Sequence, residues 1–362
     1  MRIVLVVPSL GVGGCERYVA TIAGQLGQVA DVVVVHQAVI SEAMTNLLGS
    51  TRRHSLDIVS GTPDPINRFR LELASLQPDH IVAVLPLPVA EPGGPDPLDL
   101  LDAAAALCAT TVVFQLAHLP DLLPPSDRRR AHRLLTSTDQ RWIAVSAQNR
   151  SALASSFLVP VDLVSLVPNG TSTPPACQIL QMGVSSPGVP ILLQVGRLVR
   201  WKAQEDSIRA LTYMTRPATL WLVGEGYDRE RLADLAHELN VSDSVKFLGM
   251  RDDVDELMAR ADVVLHPTLA EGASFALLEA MAAARPIVAS SAASNPELVR
   301  HGSEGWIHPA KRPDLQAAHI DDVLARPEEA RRRALLAHSR VSTAYTAEGM
   351  ISGLWSAIKR SI

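Results

Sequence analysis

One pattern constrains this chain above all: short, continuous runs of apolar, mostly β-branched residues, each followed by a longer stretch with helical spacing. IVLVV at 3–7, DVVVV at 31–35, HIVAVL at 80–85, TTVVFQL at 110–116 and WIAVS at 142–146 form a first series. ILLQVG at 191–196, TLWLVG at 219–224, VKFLG at 245–249, DVVLHP at 262–267 and PIVAS at 286–290 form a second. Apolarity unbroken over about four to seven residues implies strands covered on both faces, hence parallel sheets flanked by helices. Two such series predict an α/β chain of two Rossmann-like halves. The length of 362 residues, more than one core usually serves, agrees with that division.

Between the series lies NGTSTPPACQILQMGVSSPGVP, rich in Pro, Ser and Thr, which reads as an interdomain connection. The expected organisation is an N-terminal domain at 1–175, a linker at 176–190, a C-terminal domain at 191–343 and a final helix in 344–362. That helix places Met350, Ile351, Leu354, Trp355 and Ile358 on one face. A net charge of -5 with only 20% charged residues gives no footprint for nucleic acid. Cys15, Cys108 and Cys177 show neither zinc nor disulfide spacing, which suits a reduced, cytoplasmic chain. The opening MRIVLVVPSLGVGG lacks the features of a signal peptide and reads as a buried strand. The longest uncharged segment, 163–196, holds five prolines, so no bilayer span is expected.

Ligands of open parallel sheets bind beyond the carboxyl ends of the strands, so the residues just past each run are the candidates. GVGGCE at 11–16 offers backbone that an anion can approach, or simply a tight turn needing positive φ. It is not GxGxxG, and no acidic ribose partner follows the second strand, which argues against a nicotinamide or flavin cofactor. GRLVRWK at 196–202 supplies Arg197 and Lys202, one of only four lysines, a pair suited to a diphosphate. EGASFALLEAM at 271–281 places Glu271 before, and Glu279 inside, a helix capped by Ser274 and expected from Phe275 to about Ala284. Carboxylates among apolar residues need partners, and a polyhydroxyl ligand would supply them. A wet helix face for Glu279 and a loop cap for Glu271 are the plain alternative. His118 follows a strand end in QLAHLP. DDVDE at 252–256 resembles a metal motif but reads better as acids at a helix start.

Together these pieces resemble the retaining GT-B glycosyltransferases of family GT4. The resemblance is carried by Gly13, Gly14 and Glu16; AVS at 144–146; VPNG at 167–170; VGRL with Lys202; LVGEG at 222–226; VKFLG; the Glu271 and Glu279 pair; and EAMAAARPIVAS at 279–290. It implies two Rossmann-like domains facing across a cleft, with the last helix crossing back to the N-terminal domain. It also implies a metal-independent bacterial enzyme that needs no cofactor and takes a UDP- or GDP-type sugar donor. In such an enzyme Glu271 orients the hexose with the amides at Gly272, Ala273, Ser274 and Phe275, and Glu279 holds the ribose. Arg197 and Lys202 neutralise the departing diphosphate, with Gly196, Gly13 and Gly14 beside it. Gly249 and Arg251 meet the nucleobase, and His118 contacts the transferred sugar.

The sequence departs from the family pattern at Ala203, Ala284, Ala293 and Ser294, where glycines are usual, and at Ser172, where an aspartate is usual. A GT-B module that binds a nucleotide or glycan without catalysis is therefore the alternative. The acceptor is open: a glycan, a lipid-linked molecule or a small molecule. DRRRAHR at 127–133 suggests a peripheral contact with anionic lipid on the inner membrane face, against the simpler reading of a solvated arginine-rich face.

Overall fold

The computed structural model of the chain describes residues 1–7, 13–37, 42–85, 96–115, 125–136, 140–158, 160–173 and 188–359. These form two compact units, Met1–Asn169 with Ala347–Ile362, and Gly170–Thr346. The division falls at Gly170, because Thr171 donates its N–H to the Tyr345 carbonyl at 2.9 Å and so pairs with the second unit. Of the expected linker only residues 188–190 are described.

The first unit is built on a parallel sheet of β1 (Arg2–Val7), β2 (Asp31–Gln37), β3 (Arg52–Leu56), β4 (His80–Leu85), β5 (Thr110–Phe114), β6 (Gln140–Ala144) and β7 (Val164–Leu166). Their order is β3-β2-β1-β4-β5-β6-β7, with Val4 opposite both Val33 and Ile81. Central strands are buried on both faces, as their unbroken apolar runs require. Trp142 stacks against Phe114 and Phe157 at centroid distances of 4.8 and 5.3 Å. The helix Ala347–Lys359 completes this unit, burying Met350, Leu354, Ala357 and Ile358, while Ile351 and Trp355 are only half-buried. It lies so close that a side chain on Gly353 would stand 2.8 Å from Val167.

The second unit repeats the plan with β8 (Ile191–Val195), β9 (Thr219–Val223), β10 (Val245–Gly249), β11 (Val263–His266), β12 (Ile287–Ser290) and β13 (Trp306–His308). All pairs are parallel, in the order β10-β9-β8-β11-β12-β13. Alternation along each strand divides its core in two. Leu192, Leu220, Leu222 and Leu265 pack on one face of the sheet, and Leu193, Val223, Val264 and Ile287 on the other. Both sheets thus have the α/β, Rossmann-like architecture of GT-B proteins. Strand order reverses between β1 and β4 in one unit and between β8 and β11 in the other, and such reversals are where open α/β sheets bind ligands.

Candidate functional site

The reversal in the second unit is spanned by an ion pair. β8 runs into Gly196, whose φ of 153 favours glycine, and then through a 3-10 turn at Arg200–Lys202. The Lys202 side chain folds back over Gly196, so that a Cβ there would stand 3.6 Å from its Cε. From the loop beyond β11, Glu271 meets it: Lys202 Nζ donates to Glu271 Oε1 at 2.6 Å. The two side chains are 16% and 14% exposed, so each charge depends largely on the other for solvation.

Burial works against ionisation of Glu271, but the Lys202 ammonium, with hydrogen bonds from Lys202 and Ser274, outweighs it and holds the carboxyl below its usual range. His266, the last residue of β11, is its neutral neighbour. Burial first, and the Lys202 charge second, push its pKa down to about 4. Its Nε2 has no hydrogen-bond partner among the described residues.

The loop ends at Ser274, which is the cap of the helix Phe275–Ala282, its hydroxyl accepting from the Leu277 N–H at 3.4 Å. Gly272, Ala273, Ser274 and Phe275 are all buried at this helix start, and Glu279 is buried one turn inside. Glu279 is therefore not on a wet face: it lies among Leu277, Leu278 and Met281 on the most apolar helix of the unit. The N-terminal end of that helix favours negative charge.

The loops after β8, β9 and β10 are knitted together by backbone. Gly196 donates to Val223 O at 2.9 Å, Leu198 to Glu225 O at 2.9 Å, and Gly224 to Gly249 O at 2.8 Å. Such closeness requires glycine: a Cβ on Gly224 would lie 2.2 Å from the Gly196 carbonyl oxygen, and one on Gly226 2.2 Å from that of Leu198. Gly249 has φ 67, a conformation that favours glycine, and a Cβ there would stand 3.0 Å from the Glu225 carboxylate. Arg251 is exposed and held by Asp253, with Nε to Oδ1 at 2.7 Å. Asp253 stands just before the helix Val254–Arg260, so the acidic run there serves a helix start and an arginine. Among the described residues no three His, Cys, Asp or Glu side chains converge as metal ligands.

Sequence reasoning singled out Arg197, Lys202, Glu271 and Glu279, and the fold gathers their elements at one rim. Arg197 lies near the Trp201 ring at 5.9 Å. It overlooked His266 and the structural need for Gly224 and Gly226, although paired glycines directly after a buried strand were a readable signal. In the first unit Gly13 precedes the helix Gly14–Leu26 at the carboxyl end of β1, with its carbonyl accepting from Arg17 N–H at 3.0 Å. Its φ of -160 is extended backbone, so the positive φ expected of that turn is not found at this glycine. His118 lies outside the described residues. In the basic run, Arg130 is turned inward to Asp99, Asp102 and Asp96, which leaves only Arg128, Arg129 and Arg133 exposed.

Comparison with known proteins bears on this rim. Residues 181–335 match the family of glycosyl transferases group 1. An uncharacterized glycosyltransferase of Methanocaldococcus jannaschii is 35% identical over 199 residues, 51% of this chain and 50% of the relative. A GDP-mannose-dependent alpha-(1-6)-phosphatidylinositol monomannoside mannosyltransferase of Mycobacterium tuberculosis is 30% identical over 253 residues, 64% of this chain and 65% of the relative. The chain thus spans less than two thirds of the length of either. Among solved structures, Anabaena HepE in complex with UDP and glucose superposes with a TM-score of 0.80 at 21% identity, covering 99% of this chain and 100% of that one, a likeness of fold. Residues 181–335, the segment that matches the glycosyl transferases group 1 family, carry both Lys202 and Glu271.

Proposed function

We propose that the chain is a retaining glycosyltransferase that moves a hexose-type sugar from a UDP- or GDP-sugar to a glycan, lipid-linked or small-molecule acceptor, without a metal ion or other cofactor. The observation that carries this reading is the buried Lys202 and Glu271 pair at the strand-order reversal. It sits beside a capped helix start that also presents a buried Glu279. The names of similar proteins support such donors: the mycobacterial mannosyltransferase is GDP-mannose-dependent, and HepE has been crystallised with UDP-glucose.

In this reading Glu279 accepts hydrogen bonds from the ribose, Glu271 and the backbone at 272–275 orient the hexose, and Gly249 and Arg251 flank the base. Gly13, Gly14 and His118 of the first unit serve the diphosphate and the transferred sugar. The acceptor oxygen bonds to the anomeric carbon on the face from which the diphosphate leaves, and the acceptor proton passes to the departing phosphate oxygen. Arg197 and Lys202 offset the charge that develops there, which is electrostatic stabilisation by groups already in place. An anionic membrane surface would meet the exposed arginines of the basic run, Arg128, Arg129 and Arg133. Cytoplasmic action, soluble or peripheral on that surface, is part of the same proposal.

Calorimetric titration with UDP, GDP and ADP, on the parent and on Glu279→Ala, tests it. One diphosphate should bind, and the variant should weaken it by about tenfold or more through loss of charge-assisted hydrogen bonds. Lys202→Ala and Glu271→Ala should abolish transfer while leaving the fold intact. Diphosphate binding with neither donor hydrolysis nor transfer in the parent would favour an inactive binding module. Binding of none of the three would end the transferase reading and leave the module that binds a glycan without catalysis.

A further inference from the structure

A strand covered on both faces has no use for an amide in its core, since desolvating one costs stability unless partners are built for it. β8 nevertheless carries Gln194, 4% exposed, next to Leu193. Its Nε2 donates to the Lys202 carbonyl at 2.9 Å, and its Oε1 accepts from Ser207 Oγ at 2.8 Å. Ser207 lies on the helix Gln204–Ala210 and in turn accepts from Gln316 Nε2, on the helix Pro313–Ala325, at 3.0 Å. Ser207 and Gln316 are fully buried. All three donors point the same way, so a polarised chain of hydrogen bonds runs from Gln316 to the loop, each bond strengthening the next.

A third buried amide acts on the other end of that loop: Gln204 Nε2 donates to the Arg197 carbonyl at 2.8 Å. Backbone bonds inside the loop tie Lys202 N to Val199 O and Ala203 N to Arg200 O. The Arg197 carbonyl also accepts from the Val199 N–H at 3.0 Å, whereas the Lys202 carbonyl is left to Gln194. The carbonyls of the two residues whose charges serve the rim are thus gripped from beneath by side chains that reach nothing a ligand could touch.

We infer that Gln194, Ser207, Gln316 and Gln204 are positioning residues, a buried amide scaffold that fixes the 196–202 loop and so holds the Lys202 ammonium against Glu271. The catalytic consequence rests on the proposed transferase reading; the mechanical one does not. Two readouts keep them apart, on Gln194→Leu, Gln316→Leu and Ser207→Ala, the last removing a single oxygen should the larger changes disturb folding.

The first readout is acylation of Lys202 by a water-soluble amine-reactive ester, followed by mass spectrometry with Lys246 as the internal reference. A paired, half-buried ammonium reacts slowly, and releasing it should raise its rate at least about threefold in Gln194→Leu and Ser207→Ala. Unchanged Lys202 reactivity in folded Gln194→Leu and Ser207→Ala overturns the inference. The second is steady-state transfer: kcat should fall about tenfold with a smaller change in donor KM, because misplacement weakens the transition state most. The acid limb of the kcat profile should also move to higher pH as Glu271 loses the Lys202 field. A parent that neither binds nor uses any sugar nucleotide would sink the transferase reading, and the labelling result would still decide the scaffold.

Discussion

Ala203, Ala284 and Ala293 each hold a left-handed backbone, with φ of 51, 46 and 54. They are three of the four positions where the family pattern carries glycine. The fold has therefore kept the glycine conformation and accepted a methyl group in it, at about 1–2 kcal/mol of steric cost per residue. Replacing each by glycine should stabilise the chain by about 0.5–1 kcal/mol, because the relief exceeds the extra unfolded-state entropy of about 0.4–1 kcal/mol. Denaturant midpoints at unchanged slope would measure this, and an unshifted midpoint for all three would show that the methyl contacts offset the strain. Ala203 directly follows Lys202, so its strain lies within the candidate site. Lys202 and Glu271 themselves were legible in the sequence, one through the scarcity of lysine and the other through its spacing from Glu279. Gln194, Ser207, Gln316 and His266 were not. A polar residue inside an apolar run gives no sign of whether water or a buried partner satisfies it.

At the scale of elements, the strands that announced themselves are, apart from the edge strand β10, those covered on both faces. β3 (RRHSL), β7 (VSL) and β13 (WIH) escaped notice, and all three are edge strands. An edge strand needs apolar residues on little of its surface, so periodicity and β-branched content fade together. The sequence likewise marked the helix start at Ser274 through its capping hydroxyl, with the end two residues short of the expectation because Ala283 leaves helical geometry ahead of Pro286. The loops joining strands to helices depend on closeness that only coordinates reveal. Gly226→Ala should cost about 1–3 kcal/mol, as overpacking does, because the new Cβ meets the Leu198 backbone, which has no freedom to yield. The same substitution should displace the Gly196–Lys202 loop and weaken diphosphate binding. Thermal unfolding together with calorimetric titration would check both, and a parent-like melting temperature would refute the steric argument.

Across the whole molecule, pH acts through groups that burial holds in one protonation state. His80 in the first unit and His266 in the second both have pKa values lowered to about 4 by burial. Unfolded, each would titrate near 6.5, so their contribution is complete above that pH and is lost as pH falls from about 6.5 to 4. About 3 kcal/mol is at stake for each at the lower limit. Asp206 has the opposite sign: burial and Glu205 raise it to about 6, so its contribution is present at low pH and lost as pH rises from about 4 through 6. Acidification from pH 6 to 4 should therefore destabilise the first unit through His80 and the second through His266, His308 and His319, with Asp206 partly offsetting the loss in the second. Hydrogen exchange at pH 7 and 4.5 would resolve the units, and His80→Gln should flatten the response of the first. Unchanged protection of the first unit between the two pH values would contradict the assignment.

The first unit contains the helix Ala347–Lys359 as well as residues 1–169, and this has a temporal meaning on the ribosome. After residue 169 is made, all of 170–346 must follow before that helix exists, roughly 10 to 35 s at about 5–20 residues per second. During that interval Val167 and the surface awaiting Leu354 and Ile358 have no native cover. The later unit can finish first, and the earlier one waits unsealed until the helix Ala347–Lys359 emerges.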